Sequence, residues 1–199
     1  MPGKIKQKMT LSEQKRGLDI IAKIRKGDER AFGDLFKTYY KPLIKYACRY
    51  VPDVQTAEDI VCDVFLKIWE DRAQLNININ TKSYLYRMAR NHSLNYLKTK
   101  KPDLVDNYRL NLSLSSDAAD EQVHLSEITK HIQEAIAELP DRSRSVFTMH
   151  RYDNLKYSEI AEILNISEGT VETHMVRALK FLRKRLDFLL SFILLMNHI

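Results

Sequence analysis

The chain has 199 residues, of which 44% are hydrophobic and 29% are charged, and its formal net charge is +6. This length is enough for one or two compact domains of an ordinary soluble protein. Five Gly and five Pro leave little room for β-hairpins, so the composition favours an all-α fold and argues against a hairpin-rich one. Two Cys and six scattered His lack the spacing of a metal site, and we expect neither a metal nor a cofactor.

The N-terminal extension, residues 1–26, contains the excess positive charge and the first predicted helix. It holds eight Lys and Arg against two acids, which is +6 on its own. Its first ten residues, MPGKIKQKMT, lack the apolar segment of a signal peptide. Cys48 and Cys62 both fall in apolar helical patterns, which predicts buried thiols in a reducing compartment. We therefore expect a cytoplasmic protein.

A first helical domain is predicted for residues 27–101. Asp28 stands where it can cap a helix. The apolar face of that helix consists of Phe32, Leu35, Phe36 and Tyr39. Pro42 is placed to start a new helical segment after a bend, because proline suits the first turn of a helix.

The next predicted helix, which contains AEDIVCDVFLKIWED, is both acidic and apolar. The sequence from Thr56 to Asp59 resembles a capping box. The residues predicted to be buried are Ala57, Ile60, Val61, Val64, Phe65 and Ile68. A mixed face that combines the acids Asp59 and Asp63 with Phe65 and Trp69 is typical of protein binding. The alternative is a two-metal nuclease or polymerase site on Glu58, Asp59 and Asp63, although the adjacent Glu58 and Asp59 point in different directions.

The loop QLNININTKS leads into a helix from about Thr81 to Lys100 that contains several cations and no acid. Lys82, Tyr86 and Arg90 recur at four-residue intervals, beside Arg87 and Asn91. Cations neutralise phosphates, and an aromatic ring offers any base a stacking surface, so this stripe suits a single or melting strand. The alternative is an ordinary solvated basic face.

Residues 102–124 cluster Asp, Asn and Ser without a helical period, which predicts a flexible acidic linker. The second helical domain, residues 125–185, begins with one apolar face and is interrupted at Pro140. That face consists of Ile128, Ile132, Ile136 and Leu139. The tail, residues 186–199, has roughly nine apolar residues, whereas a membrane-spanning helix takes about 20. We expect the tail to extend a helix that packs on the protein itself or on a partner.

Residues 157–182, YSEIAEILNISEGTVETHMVRALKFL, have the pattern of a helix-turn-helix. A short helix from Tyr157 to Leu164 meets a three-residue turn, and Ser167 stands at the N-cap of a longer helix. The predicted buried face of the longer helix consists of Val171, Met175, Ala178, Leu179 and Leu182. Polar side chains near its N-terminus that can face a major groove are Thr170, Thr173, His174 and Arg177. An ordinary helical hairpin, or a free-standing regulator that dimerises through the apolar tail, would share this pattern.

Three motifs together resemble an extracytoplasmic-function (ECF) sigma factor. DVQTAEDIVCDVFLKIWED is followed by SYLYRMARNHSLNYLK and then by ELPDRSRSVFTMHRYDNLKYSEIAEILNISEGTVETHMVRALKFLRKRL, in the order and at the spacing of that family. The match covers nearly everything from Gly27 to Leu186, and the apolar tail is similar to the type common in Bacteroidetes. The resemblance implies a bacterial initiation factor without catalytic residues that binds core RNA polymerase and directs it to promoters.

The resemblance also implies which residues meet which partners. The acidic-apolar helix is expected to dock on the clamp helices of the largest polymerase subunit through Asp59, Asp63, Phe65 and Trp69. The loop and the basic helix are expected to recognise and help melt the minus-ten element through Asn76, Asn78, Asn80, Lys82, Ser83, Tyr86, Arg87, Arg90 and Asn91. The helix-turn-helix is expected to read the minus-thirty-five element through Ser167, Thr170, Thr173, His174, Arg177 and Lys180. It is also expected to meet the flap of the second-largest subunit, and a membrane-anchored anti-sigma factor is the implied regulator of this non-membrane protein.

Three positions depart from the family pattern. Cys62 stands where a Gln is usual in the clamp-binding motif. Tyr84 replaces a Trp that is common early in the basic helix, and Asn95 replaces an Asp in the same helix. These differences alter fine contacts and leave the implied function in place.

Overall fold

The computed structural model describes residues 17–75, 77, 79–100 and 123–196, with side chains described for all of these except 100, 123–128 and 187–196. Every regular element in those ranges is a helix. The chain divides into two units, the first extending to Asp106 and the second beginning at Asn107 and containing most of the remaining chain. The predicted all-α fold with two helical domains is confirmed. The predicted linker lies outside the described residues except for Val123 and His124, which already belong to a helix.

Four α-helices and one short 3₁₀ helix form the described part of the first unit. Helix α1 occupies residues 17–25, α2 Glu29–Ala47, α3 Val54–Glu70 and α4 Thr81–Lys100, and the 3₁₀ helix Arg72–Gln74 follows α3. Helices α2, α3 and α4 pack against one another. Their buried side chains include Leu35, Leu43, Tyr46, Val61, Ile68 and Leu85. This close-packed centre holds the outward faces of α3 and α4 in fixed positions.

Aspartate side chains determine where α2 and α3 begin. Asp28 caps α2 by accepting hydrogen bonds from two backbone N–H groups, as predicted. Asp53 caps α3, because its carboxylate accepts from the N–H of Thr56 at 2.7 Å. The predicted capping box from Thr56 to Asp59 was therefore wrong. Asp59 lies within the helix and accepts from the side chain of Gln55 instead.

Two other expectations for the first unit were wrong. Pro42 starts no new segment, since α2 continues through it from Glu29 to Ala47. Proline has no backbone N–H, so the carbonyl four residues before Pro42 lacks its helical hydrogen bond. Because Pro42 is exposed, water can hydrate that carbonyl. Cys48 is buried as predicted. Cys62 is exposed, because the buried face of α3 runs through Val61 and Phe65 and leaves Cys62 outside it.

The second unit contains helices α5 (Val123–Ala137), α6 (Asp141–Tyr152), α7 (Tyr157–Leu164) and α8 (Glu168–Met196). Helices α5 and α6 pack against α8. The apolar cluster between α5 and α8 consists of Ala135, Ile136, Leu139, Ala178 and Leu182, with Phe147 packed against it. The predicted interruption at Pro140 is confirmed, whereas Ile132 remains 37% exposed. Among the described residues, no helix has both the length and the apolar character needed to cross a membrane.

The connection from α7 to α8 has the geometry that the sequence predicts. Asn165 adopts a left-handed conformation with φ 53°, which Asn tolerates better than most residues, and the Ile166 N–H returns to the Ala161 carbonyl at 3.0 Å. Ser167 caps α8, since its Oγ accepts from the N–H of Thr170 at 3.1 Å. Leu179 was predicted to belong to the buried face of α8, and this prediction was wrong, because Leu179 is 51% exposed. The buried face of α8 consists of Val171, Met175, Ala178 and Leu182.

Candidate functional site

Helix α3 presents an acidic face with a leucine at its centre. Asp59, Asp63, Leu66 and Glu70 recur at helical spacing on one side, and all four are exposed. Leu66 is 55% exposed, which is high for a large apolar side chain beside a well-packed core. We refer to these four residues as the acidic face of α3. An apolar centre with a charged rim is the usual composition of a protein-binding patch.

Phe65 lies behind the acidic face and not on it. It is 2% exposed, and its ring centroid lies 4.8 Å from that of Phe36. Trp69 is half-buried, with its ring 4.9 Å from that of Phe32 and 4.5 Å from the Arg72 guanidinium carbon. Phe65 is buried, as its apolar helical position predicts, and only its predicted place in a mixed surface beside the acids was wrong. Its ring stabilises the packing of α2 on α3, and the exposed apolar residue is its neighbour in sequence, Leu66.

Cys62 flanks the acidic face at the position of the unusual thiol. It lies beside the hydroxyl of Tyr40, whose ring stacks on Phe36 at 4.6 Å. Burial, and then the Cys62 thiol, raise the pKa of the Tyr40 phenol. The phenol is therefore neutral at physiological pH, and it adds no charge to this edge of the acidic face.

The exposed face of α4 is polar and basic. It consists of Arg87, Asn91, Asn95 and Lys98, which we refer to as the basic face of α4. Lys82 and Arg90 lie outside this face and are half-buried. Asn95 and Lys98 complete this face but were missed in the sequence, although their spacing from Arg87 (eight and eleven residues) is helical.

Tyr86 was expected to offer an exposed ring in the same stripe, and this expectation was wrong. It is 2% exposed, and its ring packs edge-on against that of Tyr46 at 4.9 Å. Positions four residues apart drift around a helix by about 40° per step, so one stripe can run from surface to core. Which end is buried depends on the neighbouring helix, which the local sequence does not reveal.

The residues that lead into α4 have structural roles of their own. Asn80 accepts a hydrogen bond from the N–H of Lys82 at 2.8 Å through its side-chain oxygen, and so supports the start of the helix. Ser83 is buried. Tyr84 is half-buried, and burial, followed by the charge of Asp71, raises the pKa of its phenol. The other two predicted site residues in this loop, Asn76 and Asn78, lie outside the described residues.

Helix α8 carries a polar face that no described residue covers. Thr170, Thr173, Arg177 and Lys180 are all exposed and lie on one side, which we refer to as the recognition face of α8. The Thr170 and Ser167 hydroxyls are 2.8 Å apart. The Thr173 hydroxyl donates to the Gly169 carbonyl at 2.8 Å, which leaves its oxygen available as an acceptor.

His174 lies at the edge of the recognition face and is half-buried. Its Nδ1 is 3.2 Å from Oγ of Ser143, a buried residue of α6. Both side chains line an open groove of about 470 Å³ together with Pro140, Asp141, Arg142, Arg177 and Phe181. Burial, followed by the charges of Arg177 and Arg142, lowers the pKa of His174. The imidazole is therefore neutral at physiological pH.

Comparison with known proteins connects these three faces with a family. The family description "Sigma-70 region 2" matches residues 35–102, and "Sigma-70, region 4" matches residues 130–182. The ECF RNA polymerase sigma factor SigW of Bacillus subtilis is 31% identical over 176 residues, which are 83% of this chain and 94% of the relative. The ECF RNA polymerase sigma-E factor of Escherichia coli K12 is 29% identical over 84% of this chain and 93% of its own length. The chain belongs to the ECF RNA polymerase sigma factors.

As an ECF sigma factor, the protein binds core RNA polymerase and DNA, directs promoter recognition and is not an enzyme. The alternatives of a carboxylate nuclease or polymerase and of a free-standing regulator were therefore wrong. Among the described residues, no group of three or more His, Cys, Asp or Glu is arranged to hold a metal ion. The relatives named above come from Bacillus and Escherichia and give no support to the narrower Bacteroidetes-like type.

The fold of this sigma factor is similar to those of solved structures. The structure of CnrH in complex with the cytosolic domain of CnrY matches with a TM-score of 0.60 at 20% identity, over 86% of this chain and 97% of CnrH. The sigma factor RpoE in complex with the anti-sigma factor NepR from Bartonella quintana matches with a TM-score of 0.56 at 20% identity, over 78% of this chain and 96% of RpoE. At these identities the likeness concerns the fold alone.

Proposed function

We propose that this sigma factor divides its work among three helical faces. The acidic face of α3 binds core polymerase, the basic face of α4 binds the minus-ten element, and the recognition face of α8 reads the minus-thirty-five element. The observation that carries the proposal is the contrast in exposed charge. Acids face outward on α3, whereas cations face outward on α4 and α8. DNA attracts the second kind of surface and repels the first.

The core-binding surface in this proposal has Leu66 as its apolar anchor, with Asp59, Asp63 and Glu70 around it. An exposed aliphatic side chain loses contact with water on docking, and the acids select a basic partner surface. We assign this partner to the clamp helices of the largest polymerase subunit. Trp69 and Phe65 support the face from behind, since they pack on Phe36 and Phe32.

The minus-ten surface in this proposal is the basic face of α4 together with the loop before it. Arg87 and Lys98 supply exposed cations for phosphates, and Asn91 and Asn95 between them offer both donors and acceptors. Arg90 and Lys82, which lie outside this face, add further positive charge to the helix. Because Tyr86 is buried, base stacking is assigned to no residue of α4, and the predicted roles of Asn76 and Asn78 stay predictions.

The minus-thirty-five surface in this proposal is the recognition face of α8, presented by the helix-turn-helix. Arg177 suits guanine, whose O6 and N7 both accept hydrogen bonds in the major groove. Thr173, whose hydroxyl proton is already donated to Gly169, suits an amino group of adenine or cytosine. Lys180 and the backbone at the Ser167-capped helix start suit phosphates. We assign a further contact of this unit to the flap of the second-largest subunit.

We further propose that residues 27–101 and 125–185 act as the two functional domains of a cytoplasmic protein, and that a membrane-anchored anti-sigma factor regulates it. Two observations support the regulator. The solved structures of CnrH and of RpoE named above are complexes, the first with the cytosolic domain of CnrY and the second with the anti-sigma factor NepR. The acidic and basic faces of α3 and α4 are also exposed in the described part of the free chain.

In vitro transcription with purified core polymerase and a promoter library tests the assignment of the three faces. The full chain should select a set of promoters that share an upstream and a downstream element. Asp63→Arg should lower transcription from every promoter, because it weakens binding to core. Arg177→Ala should change which upstream bases are selected. If Asp63→Arg changes promoter choice, or Arg177→Ala lowers affinity for core, the faces are assigned wrongly.

A further inference from the structure

A hydrogen bond connects the edge of the recognition face with a helix outside the helix-turn-helix pair. Ser143 of α6 and His174 of α8 are 31 positions apart in sequence, and their Oγ and Nδ1 atoms lie 3.2 Å apart. Ser143 is 2% exposed, so its hydroxyl has little access to water. His174 is half-buried, with one ring nitrogen occupied by Ser143. The position of the imidazole is therefore determined from α6.

The charged groups around His174 determine its protonation state, and this state decides whether Ser143 or His174 donates the hydrogen bond. Arg142 and Arg177 face the imidazole from α6 and α8 across the shared groove, and the third charged residue of that groove, Asp141, pairs with Arg144 at 3.0 Å. Two nearby cations and partial burial keep the ring neutral, so only one of its nitrogens carries a proton.

The Ser143 hydroxyl has a single hydrogen-bond partner among the described residues, which is Nδ1 of His174. No hydrogen bond joins it to the carbonyl one turn earlier, that of Leu139, which accepts from Nη2 of Arg144 at 2.6 Å. A buried hydroxyl that donated to neither would leave its proton unsatisfied, which is unfavourable. Ser143 therefore donates to Nδ1, and the single N–H proton of the neutral imidazole resides on Nε2.

We propose that Ser143 is a specificity-positioning residue of this sigma factor: it fixes His174 as an Nε2–H donor that selects a base with a hydrogen-bond acceptor in the major groove. The inference rests on the proposed function of α8. A freely tautomerising imidazole can donate to one base or accept from another, so it discriminates poorly. A ring held in one tautomer offers a donor alone and matches acceptors such as guanine O6 and N7.

The tautomer can be measured directly on the full chain. Long-range ¹H–¹⁵N correlation spectra of ¹⁵N-histidine protein distinguish a protonated from an unprotonated ring nitrogen. We expect an unprotonated Nδ1 and a protonated Nε2 in the parent chain and a mixture of tautomers in Ser143→Ala. Ser145→Ala is the matched control, because the Ser145 hydroxyl donates to the Asp141 carbonyl on the same helix. A protonated Nδ1 in the parent, or an unchanged tautomer in Ser143→Ala, would overturn the inference.

The consequence for recognition is measured with holoenzyme on promoters in which each upstream base pair is changed in turn. We expect one position at which the parent prefers an acceptor-bearing base by about 2- to 12-fold, the effect of one hydrogen bond. His174→Ala should abolish this preference, Ser143→Ala should reduce it at the same position, and Ser145→Ala should leave it unchanged. The double variant should lose no more than His174→Ala alone.

The two ways of failing are distinguishable. If His174→Ala discriminates as well as the parent at every upstream position, the base-reading role of His174 is wrong, and the inference fails with it. If His174→Ala loses the preference and Ser143→Ala keeps it in full, the proposed role of α8 stands and only the inference about Ser143 fails.

Discussion

Helices α4 and α8 both present cations to solvent, yet they differ in how far their polar and aromatic residues also form part of the core. In α4, the aromatic Tyr86 and the hydroxyl residues Ser83 and Ser93 are all buried. In the part of α8 whose side chains are described, residues 168–186, the buried positions are apolar with no aromatic or hydroxyl side chain among them, and the recognition face lies opposite. Substitutions at these buried positions of α4 therefore change stability as well as DNA binding, whereas substitutions on the recognition face of α8 report on DNA alone.

The largest expected effect is on the stability of the first unit. Tyr86→Ala removes a buried ring that packs on Tyr46, and a loss of about 3–5 kcal/mol in the free energy of unfolding is typical for buried aromatic residues. Urea denaturation measures it. Arg87→Ala, on the exposed face of the same helix, should stay within about 0.5 kcal/mol of the parent. Similar stabilities for the two variants would show that Tyr86 is not a core residue.

A substitution on the recognition face of α8 should leave the free energy of unfolding unchanged and alter the recognition of promoter bases. Arg177→Ala should reduce discrimination among upstream bases by about 1–3 kcal/mol, because it removes a donor pair from the major groove. Holoenzyme affinities for matched and substituted promoters measure this. Arg183→Ala, an exposed cation of α8 outside the recognition face, is the control and should weaken binding to all sequences equally or not at all. Equal effects of the two variants on discrimination would contradict the assignment.

A smaller effect is expected from one cation of α4. Arg87→Ala should lower the slope of log affinity against log salt concentration by about 0.7–0.9, the value of one phosphate contact. Titration of holoenzyme with promoter DNA at several salt concentrations measures it, with Lys67→Ala on α3 as the control that leaves the slope unchanged. An unaltered slope for Arg87→Ala would remove this residue from the DNA surface.

The smallest effect concerns how α8 is held against α5. Glu138 accepts from Arg185 at 2.9 and 3.0 Å, and this hydrogen-bonded ion pair lowers the pKa of Glu138. A carboxyl whose pKa is lower in the folded state stabilises the fold above its ordinary pKa and loses this contribution as the pH falls through the lowered value. Both side chains are partly exposed, so the contribution is small. Urea denaturation at several acidic pH values measures the free energy of unfolding. Its dependence on pH should be weaker in Glu138→Gln than in the parent, and unchanged in Glu172→Gln.

Local signals were the most predictable part of the structure. Ser167 and Asp28 cap helices because the bond runs to backbone two or three residues away, which the sequence alone specifies. The cap of α3 was misplaced because Asp53 and the Thr56–Asp59 segment are competing local signals, and the choice between them depends on where the helix packs.

The phase of each helix against its neighbours was much less predictable. Tyr86 was expected outside and is buried, whereas Cys62 and Leu179 were expected inside and are exposed. An apolar or aromatic residue at the border of a helical stripe fits either side, and the partner helix decides. The contact between Ser143 and His174 joins two helices, and its residues give no sign of it in sequence.

The affinity of the full chain for core polymerase distinguishes the acidic face of α3 from the recognition face of α8. We expect Leu66→Arg to weaken binding by about 2 kcal/mol or more, because Leu66 is the central residue of the proposed interface. We expect Val54→Arg, at the exposed start of α3, and Arg177→Ala to bind core as the parent does. Undiminished binding by Leu66→Arg, or a loss of equal size in Arg177→Ala, would contradict this assignment of the two faces.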